Sequence, residues 1–151
     1  MPKRGLGILT RTLGDCCLIN TLTKGIKAKF PDMELDWVIE ARYRDVLEGN
    51  PDLSNIITIE ETGKDWDGVL KMASNAILYL YDKIFIPQQC SQTDNIWHHN
   101  NKYRNGHLLD FYARRCGVTI PERRCYMYPD DEDEEIADRF IIPHLIQKDI
   151  D

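Results

Sequence analysis

Asp15 is the residue of this chain best placed to do chemistry. It closes the stretch Arg11-Thr-Leu-Gly-Asp15, which follows a short apolar run and opens a helical pattern. Ligand chemistry in open α/β folds gathers where parallel strands end, and this strand-loop-helix junction delivers Arg11, Gly14 and Asp15 to such an edge. A carboxylate at a helix start is favoured by the dipole and by amide donors, and Gly14 before it leaves room for a substrate. Such a group can take a proton from a sugar hydroxyl. Asp is also a favoured helix cap, worth about 1 kcal/mol, so residue type alone leaves both roles open.

Glu40 and Arg42 follow a second apolar run and belong on the same edge, with helix initiation and surface charge as the competing account. The stretch from Gln88 to Asn105 is polar and aperiodic over 18 residues, unusual in a small domain unless it binds something. It is a candidate binding loop and supplies Gln88, Lys102 and Arg104 as candidate ligand contacts. His98, His99 and His107 do not imply a metal, because adjacent histidines in a polar loop rarely converge on one ion and no acid is suitably spaced. Gly5 and Gly7 invite a dinucleotide reading, but they precede or sit within the first strand and position 10 is Thr, so the glycine fingerprint fails. No Gly-Lys-Ser/Thr phosphate loop occurs.

These residues need elements to hold them. Residues 6–10 are expected to form a buried parallel strand. From Asp15 onward Leu18, Ile19, Leu22, Ile26 and Phe30 fall on one helical stripe, which Pro31 ends. Strands are expected at 34–39, 55–59 and 83–86. Tyr43, Val46 and Leu47 mark a short helix closed by Gly49-Asn50-Pro51, and Asp65 begins a longer one carrying Trp66, Val69, Ala73, Ile77 and Leu80. Leu108, Leu109, Tyr112 and Cys116 define another helix, with Gly117 as its stop. Residues 124–128 read as a fifth strand, and Asp130 as the cap of a last helix whose acidic first turn suits the dipole. Trp37 and Trp66 read as core. The alternation specifies an α/β fold: a Rossmann-like, doubly wound, mainly parallel sheet with helices on both faces.

At 151 residues, with 42% hydrophobic and 29% charged residues, the chain suits one globular domain. The expected domain is 1–142, with 143–151 a tail or the start of a linker. The formal charge of -6 equals that of the six acids at 130–135, so the remainder is balanced. Nucleic acid is therefore not an expected partner. Short basic clusters at Arg42/Arg44, Lys102/Arg104, Arg114/Arg115 and Arg123/Arg124 read by default as solvated faces. Five scattered cysteines fit structural thiols in a reducing compartment, and no run is apolar enough to span a bilayer, so the expected location is cytoplasmic.

The motifs Arg-x-Leu-Gly-Asp at 11–15, Phe-Pro-Asp…Leu-Asp-Trp-Val-Ile-Glu at 30–40 and Leu-Glu-Gly-Asn-Pro-Asp at 47–52 resemble the N-terminal half of the heptosyltransferases. These enzymes add heptose to the lipopolysaccharide core. Tyr81-Asp-Lys-Ile-Phe-Ile86 and His107-Leu-Leu-Asp-Phe-Tyr-Ala-Arg-Arg-Cys-Gly117 extend the likeness. The resemblance implies one half of a GT-B architecture: an acceptor domain facing a C-terminal donor domain that this chain lacks. It implies Asp15 as the general base of an inverting sugar transfer, with Arg11 shaping the loop or meeting an anionic acceptor. It implies a nucleotide-sugar donor of the ADP-heptose type bound mainly by the other domain, no obligatory metal or other cofactor, and peripheral contact with the inner face of the membrane. The chain alone is then expected to transfer little or nothing. After the fourth strand Pro87-Gln-Gln-Cys-Ser-Gln-Thr-Asp94 departs from the Gln-Gly-Leu-like turn usual in the family. Two other readings remain open on the same residues: a non-enzymatic binding or assembly domain, and a small flavodoxin-like nucleotide-binding domain.

Overall fold

The computed structural model describes residues 3–10, 13–60, 80–87 and 107–140. Among them run β1 (Arg4–Ile8), α1 (Leu13–Cys17), α2 (Ile19–Lys29), β2 (Glu34–Glu40), a 3-10 segment (Ala41–Val46), β3 (Asn55–Ile59), β4 (Lys83–Phe85), α3 (Leu108–Cys116) and α4 (Asp131–Phe140). The four strands form one parallel sheet in the order β3-β2-β1-β4, with Gly7 opposite Trp37 and Glu40 opposite Ile59. Parallel strands send all their carboxyl ends to one edge, and that edge receives the start of α1 and the 3-10 segment.

The strands are apolar on both faces, as a covered parallel sheet requires. On one face Leu9, Leu35, Trp37, Ile39 and Phe85 pack with Ile19, Leu22 and Ile26 of α2 and with Leu109, Tyr112 and Cys116 of α3. On the other, Leu6, Ile8 and Val38 gather Ile57, Ile59, Ile84 and Ile86. Gly5 and Gly7 are there for packing. A Cβ on Gly7 would meet the Trp37 ring at 2.1 Å and one on Gly5 the Met33 sulfur at 2.5 Å, so β1 stays bare to admit both side chains.

Asp36 ties the amino ends of the strands together. Its buried carboxylate accepts from Arg4 Nη2 at 2.8 Å, from the Tyr81 hydroxyl at 2.7 Å and from Asn55 Nδ2 at 2.8 Å. Three strand starts are thereby held to β2 through one acid.

Several sequence expectations need correcting. Residues 124–128 are not a strand. Two backbone carbonyls of that segment are taken by side chains of α2, with Thr21 Oγ1 donating to Arg124 O at 2.5 Å and Asn20 Nδ2 to Tyr126 O at 2.9 Å. β1 begins two residues earlier than read and leaves Leu9 and Thr10 as a buried connection. The first helical stripe is broken at Leu18 into α1 and α2. Gly117 does stop α3, at φ 66°, and Asp130 caps α4 by accepting from the Asp133 amide at 2.8 Å while its own amide donates to Asp133 Oδ2 at 3.3 Å. Trp37 is fully buried. Trp66 and its helix lie outside the described residues, as does any cover they give the second face.

Asp36→Ala leaves the Tyr81 hydroxyl and the Asn55 amide without their acceptor. Because Arg4 is partly exposed, the expected loss is modest for a buried acid, about 2 kcal/mol, read from urea denaturation against the unchanged chain.

Candidate active site

Asp15 is the third residue of α1, within the first turn and not at the cap. The cap reading of this residue is therefore set aside, while the placement at the carboxyl edge stands. Its side chain is half-buried, and Gly14 beside it is exposed, with no atom of the described residues within 4 Å of where a Cβ would stand.

The Tyr112 phenol of α3 is buried within reach of the Asp15 charge. Burial first, and then the carboxylate, push this phenol well above its ordinary range. Helical periodicity marks Tyr112 only as core, and a stripe of apolar positions does not reveal which aromatic hydroxyl comes within reach of an acid's charge across the fold.

β2 delivers the second part of the site. Glu40 is its last residue and is 1% exposed, a charge that needs a partner inside the protein. Arg42 supplies it: its Nε lies 2.9 Å and its Nη2 2.7 Å from Glu40 Oε2, while the guanidinium stacks over the Tyr43 ring at 4.8 Å and remains half-exposed. A guanidinium held this way is fixed in place beside the strand edge.

Cys16 links the two parts. Its buried thiol is pushed up to about 12, first by burial and then by the charges of Asp15, Cys17 and Glu40, against which Arg42 works. The charges of Asp15, Glu40 and Arg42 all act on this one side chain, and α1 packs against the 3-10 segment that carries Arg42. The structure brings together three of the predicted site residues plus Gly14. Arg11, Gln88, Lys102 and Arg104 lie outside the described residues, as do His98 and His99 and the whole loop from Gln88 to Asn105.

Other predicted basic clusters turn to surface pairing. Arg44 meets Glu48 at 2.9 Å, Arg123 meets Asp110 at 2.9 Å and Arg124 approaches Glu122 at 3.5 Å. His107 caps α3 by accepting from the Leu109 amide at 3.1 Å. A groove of about 710 Å³ opens elsewhere, between the end of the 3-10 segment and the start of α4, lined by Asp45, Glu48, Tyr128, Asp130, Asp133 and Glu134. Its acidic walls repel anions, and none of Asp15, Glu40 or Arg42 lines it. Among the described residues no group of three or more His, Cys, Asp or Glu side chains is arranged to hold a metal, and no helix is long and apolar enough to cross a membrane.

Neither the comparison with protein families nor that with curated proteins finds a match. Solved structures do match. A glycosyl transferase family 9 protein from Veillonella parvula superposes with a TM-score of 0.62 over 94% of this chain and 50% of its own, at 18% identity. An E. coli heptosyltransferase solved with ADP-2-deoxy-2-fluoro heptose gives 0.52 over 81% of this chain and 51% of its own, at 14% identity. The E. coli ADP-heptose lipopolysaccharide heptosyltransferase II gives 0.50 over 91% and 50%, also at 14% identity. The likeness is one of fold, and it falls on the kind of protein that the sequence motifs resemble. This chain spans about half the length of each.

The thiols make the packing of the site measurable. Cys16 and Cys116 are both pushed up to about 12 from 9.0, chiefly by burial. An unfolded chain ionises them near 9.0, so their contribution is complete below that pH and is lost as pH rises through the folded value. Unfolding free energy is expected to fall between pH 9 and 12, each thiol adding up to ~1.4 kcal/mol per pH unit. Denaturation across that range checks it, and Cys16→Ala should make the slope shallower.

Proposed function

We propose that this chain is the acceptor-binding, base-carrying domain of an inverting glycosyltransferase, moving heptose or a related sugar from a nucleotide sugar to a lipopolysaccharide-type acceptor. The reading rests on one observation above all: a half-exposed carboxylate, Asp15, at the carboxyl edge of a parallel sheet, beside an exposed Gly14 and on the same edge as the Glu40–Arg42 pair. The fold shared with sugar transferases supports it, as does the ADP-heptose analogue named with one of them.

The chemistry follows from the residues. The acceptor hydroxyl lies against Asp15, which takes its proton as the oxygen attacks the anomeric carbon. The bond from that carbon to the diphosphate breaks on the opposite side, so configuration inverts. Arg42, held by Glu40, meets negative charge on the acceptor, and Gly14 keeps the approach clear. Arg11, Gln88, Lys102 and Arg104 remain candidates for further acceptor contacts. The donor and the groups that neutralise the departing diphosphate belong to a second, C-terminal domain. The reaction uses the nucleotide sugar and needs no metal or other cofactor. The enzyme works on the cytoplasmic side, touching the inner membrane face where its acceptor is anchored.

In the protein carrying both halves, Asp15→Asn is expected to cut turnover by roughly 100- to 10,000-fold while nucleotide-sugar affinity stays the same. Release of the nucleoside diphosphate measures the first and calorimetry the second. Near-normal turnover would remove Asp15 from the role of base.

A further inference from the structure

Two cysteines meet across the fold. Cys125 Sγ lies 3.8 Å from the backbone oxygen of Cys17, a residue 108 positions away in the sequence. The helical row that Cys17 begins holds the segment on both sides of Cys125: Thr21 Oγ1 donates to Arg124 O at 2.5 Å and Asn20 Nδ2 to Tyr126 O at 2.9 Å. Lys24 continues the row, its Nζ standing 5.5 Å from the Tyr126 ring and 5.6 Å from that of Tyr128. The two thiols differ as a disulfide-forming pair requires. Cys125 is exposed to an oxidant in solution, whereas Cys17 is half-buried and its thiol is pushed above its ordinary range, chiefly by burial and then by the neighbouring Cys125. Cys16 and Cys116 are buried in the core and out of an oxidant's reach.

We propose that Cys125 and Cys17 form a reversible disulfide that fastens α1, the helix carrying Asp15, to the segment ahead of α4 and lowers turnover while it is closed. The oxidant is a low-molecular-weight disulfide such as oxidised glutathione. The Cys125 thiolate attacks one of its sulfurs, the small disulfide's S–S bond breaks, and one thiolate leaves and takes up a proton. The Cys17 thiolate then attacks the Cys125 sulfur of the mixed disulfide and displaces the second small thiol. Two protein thiols are thereby oxidised to one disulfide, and the small disulfide is reduced to two thiols. In a reducing compartment such bonds are transient and act as sensors. Closure also acts on the site. It requires the two sulfurs about 2.05 Å apart, whereas Cys125 Sγ rests against the Cys17 carbonyl in the reduced chain, so the end of α1 adjusts as the bond forms. Asp15 stands two residues back in a helix of five residues and moves with it. The effect on turnover rests on the base assignment for Asp15; the bond itself does not.

The test incubates the chain with oxidised glutathione and maps the digested products by mass spectrometry with and without reductant. A peptide pair joined through Cys17 and Cys125, lighter by two hydrogen atoms than the separate peptides and released by reductant, is expected. Glutathione left on Cys125 with no cross-link, or a bond from Cys125 to Cys16, Cys90 or Cys116, would overturn the proposal. Cys125→Ser, at an exposed position, should abolish the cross-link. Should that variant fail to fold, Cys17→Ser is expected to leave a stable glutathione adduct on Cys125, and an unmodified Cys125 would overturn the order of attack. In the protein carrying both halves, oxidation is expected to lower turnover by roughly 10-fold, reversed by reductant and absent from Cys125→Ser. A cross-link with unchanged turnover, beside a strong Asp15→Asn defect, would refute the regulation and spare the base. A cross-link with normal turnover in Asp15→Asn would refute the base and leave the bond standing.

Discussion

One buried carboxylate sets the frame on which everything else is measured. Asp36 accepts from the start of β1, from the start of β3 and from the residue leading into β4, so it holds the amino ends of the strands in register with β2. The Tyr81 phenol that it anchors is pushed up to about 12, first by burial and then by this hydrogen bond. A parallel sheet with fixed starts has fixed finishes. Because a one-residue slip would turn every side chain to the wrong face, Gly7 would lose Trp37 and Glu40 would leave its burial site.

The opposite edge shows what that frame holds in place. Glu40 sits at the end of β2 with its charge out of water, a costly position that Arg42 compensates at 2.7 Å. Breaking the pair by removing one partner would leave a buried charge, so the guanidinium is held at the rim by an energetic need. Asp15 follows the neighbouring strand, and its charge acts on the buried Tyr112 phenol of a helix far along the sequence.

Much of the frame is legible in the sequence because it depends on local pattern. The β-branched run 55–59 is β3 to the residue, the Leu22/Ile26 stripe is the buried face of α2, and Gly117 stops α3 with a positive φ that its lack of a Cβ allows. What the sequence hides is tertiary. Residues 124–128 carry strand-forming types, yet Thr21 and Asn20 capture the carbonyls of Arg124 and Tyr126 and tie the segment to α2 in place of a ladder. Glycines that suggest a nucleotide loop make room for Trp37 and Met33. In the site, the strand-end rule finds Asp15, Glu40 and Arg42, because it needs only the order of elements.

The central claim is that the edge holding Asp15 and the Glu40–Arg42 pair receives a sugar acceptor. Titration of the isotope-labelled chain with a lipopolysaccharide-core oligosaccharide, followed by amide and side-chain chemical shifts, tests it most directly. Saturable shifts at Leu13–Cys17, Glu40, Arg42 and Tyr43 are the predicted result. Shifts confined to the acidic groove around Asp45, Asp130 and Glu134, or none at all, would contradict it.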